Sequence, residues 1–383
     1  MADQIFTEVF VIKNIGYLIY AVFFHLFRLF PVSEKKVFLI ATHDSSNEGN
    51  IGIVAKEWEK RNDGYRFIMM TKNDGISHPF HFFITLSYHM ATSAYILLDN
   101  IFLPMAYLTF SKKTKIVQLW HGTGTIKRFG QSVNTGRLKK LEYKANQKMT
   151  YLIVNSEYTK KIYKEAFQVP EEKICVLGLP RTDLLIDKEY KRNKLAGFYR
   201  EYPELADKYI ILYAPTFRDE EVDSPVIPFN FDRLLSVLPT DTVVMLRLHP
   251  HVAAAFSDQK LSAYDGKVWN MSNYPEVSTL LFAADELITD YSSIVFEYCI
   301  LERPMMFYAY DLEYFEAKGR SFYEDYRSYV PGIVVESEEQ LYENLMKNRE
   351  ERAVIAKDFK EESFDFLDGQ AAKRLLDLLQ IEK

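Results

Sequence analysis

Cysteine is nearly absent. Only Cys175 and Cys299 occur in 383 residues, far apart and in no CxxC or CxxH spacing. Neither a disulfide framework nor a zinc site is suggested, and a reducing compartment fits. An excess of basic residues is missing as well. With 47 Lys and Arg against 53 Asp and Glu, the formal net charge is −6, which argues against a general nucleic-acid binder. No GxGxxG run is present, so a dinucleotide fingerprint has no support. No two aspartates are spaced D-x-D, the arrangement by which one class of nucleotide-sugar transferases holds a metal on a diphosphate. If a nucleotide diphosphate is handled, arginines, histidines and helix ends must neutralise it, and no metal or cofactor is expected. Internal repeats and low-complexity segments are also absent.

What is present is a chain of globular composition, 48% hydrophobic and 26% charged, long enough that two domains are the default. Aromatic residues reach 15%, which hints at an apolar or sugar-bearing neighbour. The segment "NIGYLIYAVFFHLFRLFPV" is almost wholly apolar, but Asn14, Tyr17, Ala21, His25 and Arg28 recur at helical spacing on one stripe. That stripe interrupts the roughly 20 apolar residues that a spanning helix needs. The flanking acids and the Phe-Pro ending do not suit a signal peptide. A helix lying in the membrane interface over residues 1–32 is expected, with burial against the rest of the protein as the alternative.

After Pro31, twelve short β-rich runs alternate with helix-length amphipathic stretches, from "KVFLIA" to "GIVVE". Compact apolar strands alternating with helices predict an α/β protein whose parallel sheets are covered on both faces. Two sets of six runs predict two doubly wound domains, over residues 33–203 and 204–357, with an interdomain cleft and a closing helical segment over 358–383.

Ligands of such sheets bind beyond the carboxyl ends of the strands, and here five strand ends are polar. His121 and Thr123 follow "KIVQLW", and Arg181 and Asp183 follow "LGLP". Thr216, Arg218 and Asp219 follow "ILYAP". Arg247, His249 and His251 surround "MLRLHPH", and Asp290, Ser292 and Ser293 follow "ELIT". In "HGTGTIKRFG" the two glycines let backbone approach a ligand. His121 would stand where an imidazole can take a proton from an alcohol. Arg247 and His249 alternate on one side of a strand, a pair suited to a diphosphate. Ser292 and Ser293 open a short helix whose free N–H groups would hold phosphate, and Glu297, one turn on, could take ribose hydroxyls. Ordinary readings stand beside these: a structural Arg–carboxylate pair at Arg247, a plain serine cap, a structural histidine. Between Lys127 and Lys148 seven basic residues face one acid, Glu142, either a landing strip for an anionic substrate or a solvated helix face.

Taken in order, "WHGTGTIKRFG", "GLPRTD", "YAPTFRD", "RLHPH" and "TDYSSIVFEY" followed by "RPMMFYAYDLE" resemble the CDP-glycerol glycerophosphotransferase family of teichoic acid synthesis. The resemblance implies a GT-B architecture of two Rossmann-like domains. It also implies a CDP-glycerol donor and an undecaprenyl-diphosphate-linked acceptor, at the cytoplasmic side of a bacterial membrane as a peripheral enzyme. It carries a donor site onto His121, Gly122, Thr123, Gly124, Thr125, Arg181, Thr216, Phe217, Arg247, Leu248, His249, Ser292, Ser293 and Glu297. His121 is then the general base and His249 the partner of the phosphates. The Lys-Arg-Phe-Gly ending is similar to primase members, which add the first glycerol phosphate, whereas Arg181 is similar to chain-extending members. A primase is expected. The alternatives are a chain-extending polyol-phosphate transferase using CDP-glycerol or CDP-ribitol, another GT-B transferase using a nucleotide sugar, and a non-catalytic binding protein on the same fold. "ATHDSSNEGN" departs from the family's usual loop after the first strand, on the expected acceptor side.

Overall fold

All twelve runs are strands. The structure, a computed structural model, describes residues 2–218, 226–256, 261–318 and 321–381. One parallel sheet has the order β2-β1-β3-β4-β5-β6, built from β1 (Ser33–Ala41), β2 (Arg66–Thr71), β3 (Ser93–Leu98), β4 (Lys115–Gln118), β5 (Tyr151–Val154) and β6 (Ile174–Val176). The other has the order β12-β11-β10-β7-β8-β9, from β7 (Tyr209–Tyr213), β8 (Thr242–Leu246), β9 (Val268–Asn270), β10 (Glu286–Thr289), β11 (Met305–Tyr308) and β12 (Ile333–Val335). Every residue of β3, β5, β8, β10 and β11 is buried. Side chains point alternately to opposite faces of a strand, so burial of every one requires cover on both. The uninterrupted apolar runs satisfy that requirement.

Two compact units result. The first comprises Met1–Gly122, Phe129–Asp183 and Asp365–Lys383, and the second comprises Thr123–Arg128 and Leu184–Phe364. The break at Asp183 precedes the expected 203/204, and side-chain packing gives the reason. The helix Lys188–Glu201 joins the second unit through Lys194, 2.6 Å from Glu276, and through Tyr190 and Lys191 against the ring of Phe282. The expected closing segment is also divided. The helix Arg349–Ser363 belongs to the second unit, whereas Ala371–Ile381 returns to the first. There Asp183 accepts the backbone N–H groups of Ala371 and Ala372 at 3.1 Å each, and Arg61 meets Asp377 at 2.8 Å.

On the first helix, Ala2–Phe27, Asn14 and His25 of the polar stripe meet the rest of the first unit, whereas Arg28 is exposed. Asn14 accepts the Tyr107 hydroxyl at 2.6 Å, and the His25 ring nitrogen Nε2 lies 3.1 Å from the Tyr107 carbonyl. Tyr20, Ala21 and Phe24 are buried with Leu86, Met90 and Phe102 in the core of the first unit. Tyr107 thus supplies the hydrogen-bonding groups for both polar residues, Asn14 and His25. Ile12, Ile15, Leu18, Ile19, Val22 and Leu26 are left exposed. Among the described residues, no helix is long and apolar enough to cross a membrane.

The second unit buries an ion pair at the start of β10. Glu286 is fully buried, and its carboxylate meets Arg352 Nη1 at 2.5 Å and Arg349 Nε at 3.1 Å. Burial outweighs both guanidinium groups and raises the Glu286 carboxyl above its ordinary value. Removing one partner of such a pair strands the other's charge. Arg352→Ala is therefore expected to lower the unfolding free energy by about 3–5 kcal/mol, read from the urea midpoint.

Candidate active site

In the first unit the site grows from the ends of β1, β3 and β4. Asp99, the residue after β3, turns its carboxylate onto the loop after β1. It accepts the backbone N–H of Thr42 at 3.0 Å, of His43 at 3.1 and 3.3 Å, and of Asp44 at 2.9 Å. Burial nevertheless outweighs the three bonds and raises the Asp99 carboxyl above its ordinary value. The Asp99 carbonyl lies 3.1 Å from Nδ1 of His121. A carbonyl only accepts, so Nδ1 carries the proton and Nε2 keeps its lone pair.

The backbone leading into His121 is strained. Trp120 has φ +56, a left-handed conformation costly for a bulky side chain. Both its backbone groups are pinned: the N–H donates to Gln118 Oε1 at 2.8 Å, and the carbonyl accepts from Asn50 Nδ2 at 3.0 Å. Asn50 also takes the backbone N–H of Arg181 at 2.9 Å, and Arg181 Nη1 donates to the His121 carbonyl at 3.2 Å. The Gly122 carbonyl accepts the Tyr163 hydroxyl at 3.1 Å. The His121 ring packs against Trp120, centroids 4.1 Å apart, and against His43 at 3.9 Å. Burial, then the His43 and Arg181 charges, lower the His121 imidazole to about 4. His121 is thus a neutral base across the physiological range.

In the second unit the sequence-predicted residues form a different arrangement. Thr123 donates its hydroxyl to Glu297 Oε1 at 2.8 Å, a contact made to protein by the carboxylate expected at a ribose. Gly124 is required by packing, since a Cβ there would stand 2.5 Å from the ring of Phe296. Thr125 closes onto the Lys127 carbonyl at 2.5 Å, and Lys127 bridges Phe322. Arg247 gives Nη1 to the carbonyls of Met271, Ser272 and Tyr274 at 3.1, 2.7 and 2.5 Å, which braces the loop after β9. Burial lowers its guanidinium from the ordinary value. Leu248 is buried, with its N–H on Ser272 Oγ at 2.9 Å. His249 stacks on Phe217, centroids 4.0 Å apart, and both line a pocket with Thr216, Arg218 and Tyr310. The Thr216 N–H is held by Asp290 at 2.7 Å, while its hydroxyl oxygen is buried without a hydrogen-bond partner among the described residues. Ser292 Oγ accepts from the Ile294 N–H at 3.3 Å, leaving its O–H to donate; Ser293 caps the five-residue helix Ile294–Tyr298 through no side-chain bond.

Behind this pocket lies a network that the motifs signalled only in part. Arg218 bridges Asp290 at 2.6 Å and Asp311, which it meets through Nε and Nη2 at 2.9 Å each, and the Tyr291 hydroxyl donates to Asp311 at 2.8 Å. Burial raises the Asp311 carboxyl, but the bonds from Arg218 and Tyr291 prevail and hold it below its ordinary value. Asp311, Asp99, Asn50 and His43 were not named as site residues. The signal for Asp99 was available, because "LLDN" after β3 matches "LITD" after β10. Asp219 lies outside the described residues, as does the side chain of His251. Among the described residues there is no group of three or more metal-ligating side chains.

The family model of CDP-Glycerol:Poly(glycerophosphate) glycerophosphotransferase matches residues 21–380. The chain belongs to this family, and it is a transferase. It is 33% identical over 365 residues to the teichoic acid poly(ribitol-phosphate) polymerase of Bacillus spizizenii, covering 92% of this chain and 57% of that one. With the teichoic acid glycerol-phosphate primase of Bacillus subtilis it is 31% identical, covering 95% of this chain and 96% of that protein. The solved structure of the wall teichoic acid polymerase TagF superposes with a TM-score of 0.79 at 25% identity, covering all of this chain and 98% of that one. This neighbour agrees with the GT-B expectation.

The Asp99 carboxylate is the testable hinge of the first arrangement. Asp99→Ala is expected to lower stability by about 1–3 kcal/mol. Amide hydrogen exchange should accelerate at Thr42, His43 and Asp44, with little change in the second unit.

Proposed function

We propose that this transferase moves glycerol phosphate from CDP-glycerol to an undecaprenyl-diphosphate-linked acceptor in teichoic acid synthesis, as a primase. The observation that carries the chemistry is His121: its Nδ1 is tied to the Asp99 carbonyl and its Nε2 is a free lone pair on a neutral ring. An acceptor hydroxyl oxygen attacks the β-phosphorus of CDP-glycerol, His121 Nε2 takes the hydroxyl proton, and the bond to CMP breaks, CMP leaving with the electron pair. His249, the Thr216 hydroxyl, Ser292 and Ser293 are the groups proposed to hold the diphosphate and its developing charge. Arg181, whose Nη1 meets the His121 carbonyl, is proposed to aid them. Arg247 and Glu297 are kept in a supporting part, Arg247 through the β9 loop and Glu297 through Thr123 of the glycine motif. The Lys-Arg-Phe-Gly ending of that motif favours the primase. A CDP-ribitol donor is the second reading, favoured by similarity to ribitol-phosphate enzymes, including a 32% identical teichoic acid ribitol-phosphate primase.

Mass analysis of product from purified protein, either CDP-polyol and synthetic lipid acceptors tests both readings. CMP release with one added glycerol phosphate is expected. Product from CDP-ribitol alone would establish the second reading, and product from neither would remove both. His121→Ala is expected to lose about 10²–10⁴ in turnover while still binding CDP-glycerol by calorimetry.

A peripheral position on the cytoplasmic face of the membrane is part of the proposal. Its support is the row of exposed aliphatic residues on the first helix, opposite the face that enters the core. Because Tyr20 and Phe24 are core residues, single charges test this better than deletion. Ile15→Glu with Val22→Glu and Leu26→Glu should abolish co-sedimentation with phosphatidylglycerol vesicles and leave thermal unfolding nearly unchanged. Undiminished co-sedimentation would move the contact elsewhere.

A further inference from the structure

The loop after β1 carries a histidine that the reaction described above does not use. His43 lies face to face on His121, ring centroids 3.9 Å apart and planes inclined by 13°. Its backbone N–H is gripped by both carboxylate oxygens of Asp99, and the Asp99 carbonyl meets His121 Nδ1. One residue therefore aligns both rings. His43 is exposed, whereas His121 is half-buried.

We propose that His43 is a positioning residue for the transfer: stacked on His121, it fixes the plane of that imidazole and opposes its protonation as pH falls. This rests on the reading of His121 as the base. Two imidazolium rings at this separation repel strongly, so the pair resists a second proton. The first goes to the more exposed ring, although burial lowers the His43 imidazole from its ordinary value in spite of the Asp99 and Asp44 charges nearby. Arg181 and Lys72 are the positive groups around His43, and Arg181 also faces His121. As pH falls, His43 becomes charged first and opposes protonation of His121, adding to the burial that is the larger cause of the lowering of His121 to about 4. At neutral pH both rings are neutral, and the uncharged face of His43 can receive the imidazolium that forms when His121 takes the hydroxyl proton.

The test is an NMR titration of the His121 ring together with the pH profile of transfer, in the wild type, His43→Phe and His43→Gln. The phenylalanine keeps a stacking face without a titrating group, and the glutamine serves if the larger ring disturbs folding. In both variants the His121 titration should move up without returning to its ordinary value, because the burial remains, and the acid limb of turnover should move with it. His43→Phe should retain more of the alkaline plateau than His43→Gln, because it keeps a plane against His121. An unchanged His121 titration in the folded variants overturns the proposal, even if turnover falls. The underlying reading fails differently: full turnover of His121→Ala would remove the base while leaving the coupled titration of the two rings intact.

Discussion

An aspartate placed one residue beyond a central strand organises each unit of this protein. Asp99 follows β3 and takes three N–H groups from the loop after neighbouring β1; Asp290 follows β10 and takes the Thr216 N–H from the loop after neighbouring β7. Where a parallel ladder stops, the N–H groups of the outgoing loops lose their ladder partners and are too enclosed to go unpaired. A carboxylate one residue past the neighbouring strand meets that need. Its own carbonyl is then available to a third element: His121 at Asp99, and the Tyr326 hydroxyl, 3.1 Å away, at Asp290. The same device recurs, with an imidazole on one copy and a tyrosine hydroxyl on the other.

Around this constraint, the residues that resemble chemistry and those that perform bracing are interleaved. Arg247 spends Nη1 on three carbonyls, and Glu297 accepts a threonine of the glycine motif, so two groups with obvious affinity for phosphate and ribose also hold backbone in place. Arg218 fills the guanidinium role between Asp290 and Asp311. The glycine motif divides between the units: His121 and Gly122 belong to the first, and Thr123–Arg128 to the second. The second part threads past the Phe296 ring, where a Cβ on Gly124 would stand 2.5 Å away.

The fold was legible to an unusual degree because its signal is local. A strand buried on both faces is mostly apolar, and most of the runs carry that mark without reference to any distant residue, the buried Glu286 of β10 excepted. His121, Arg181, Thr216, His249 and the serine pair were legible as strand-end polar groups for the same reason. The partner of Asn14 and His25 on the first helix was not legible, because Tyr107 lies far along the chain. His43 escaped notice because nothing near it in sequence announces a stacking partner 78 residues on.

By itself the sequence determined the alternation of strands and helices, the parallel sheets and the set of polar strand ends, since each follows from periodicity and from what succeeds the last apolar residue. Five ordered motifs also determined the family. Tertiary structure alone decided which polar groups pair with one another, that Arg247 braces a loop, that Asp183 caps a helix nearly two hundred residues away, and that His121 is neutral. A side chain's hydrogen-bond partners and its desolvation depend on groups brought close by folding, and no window of neighbouring residues contains them.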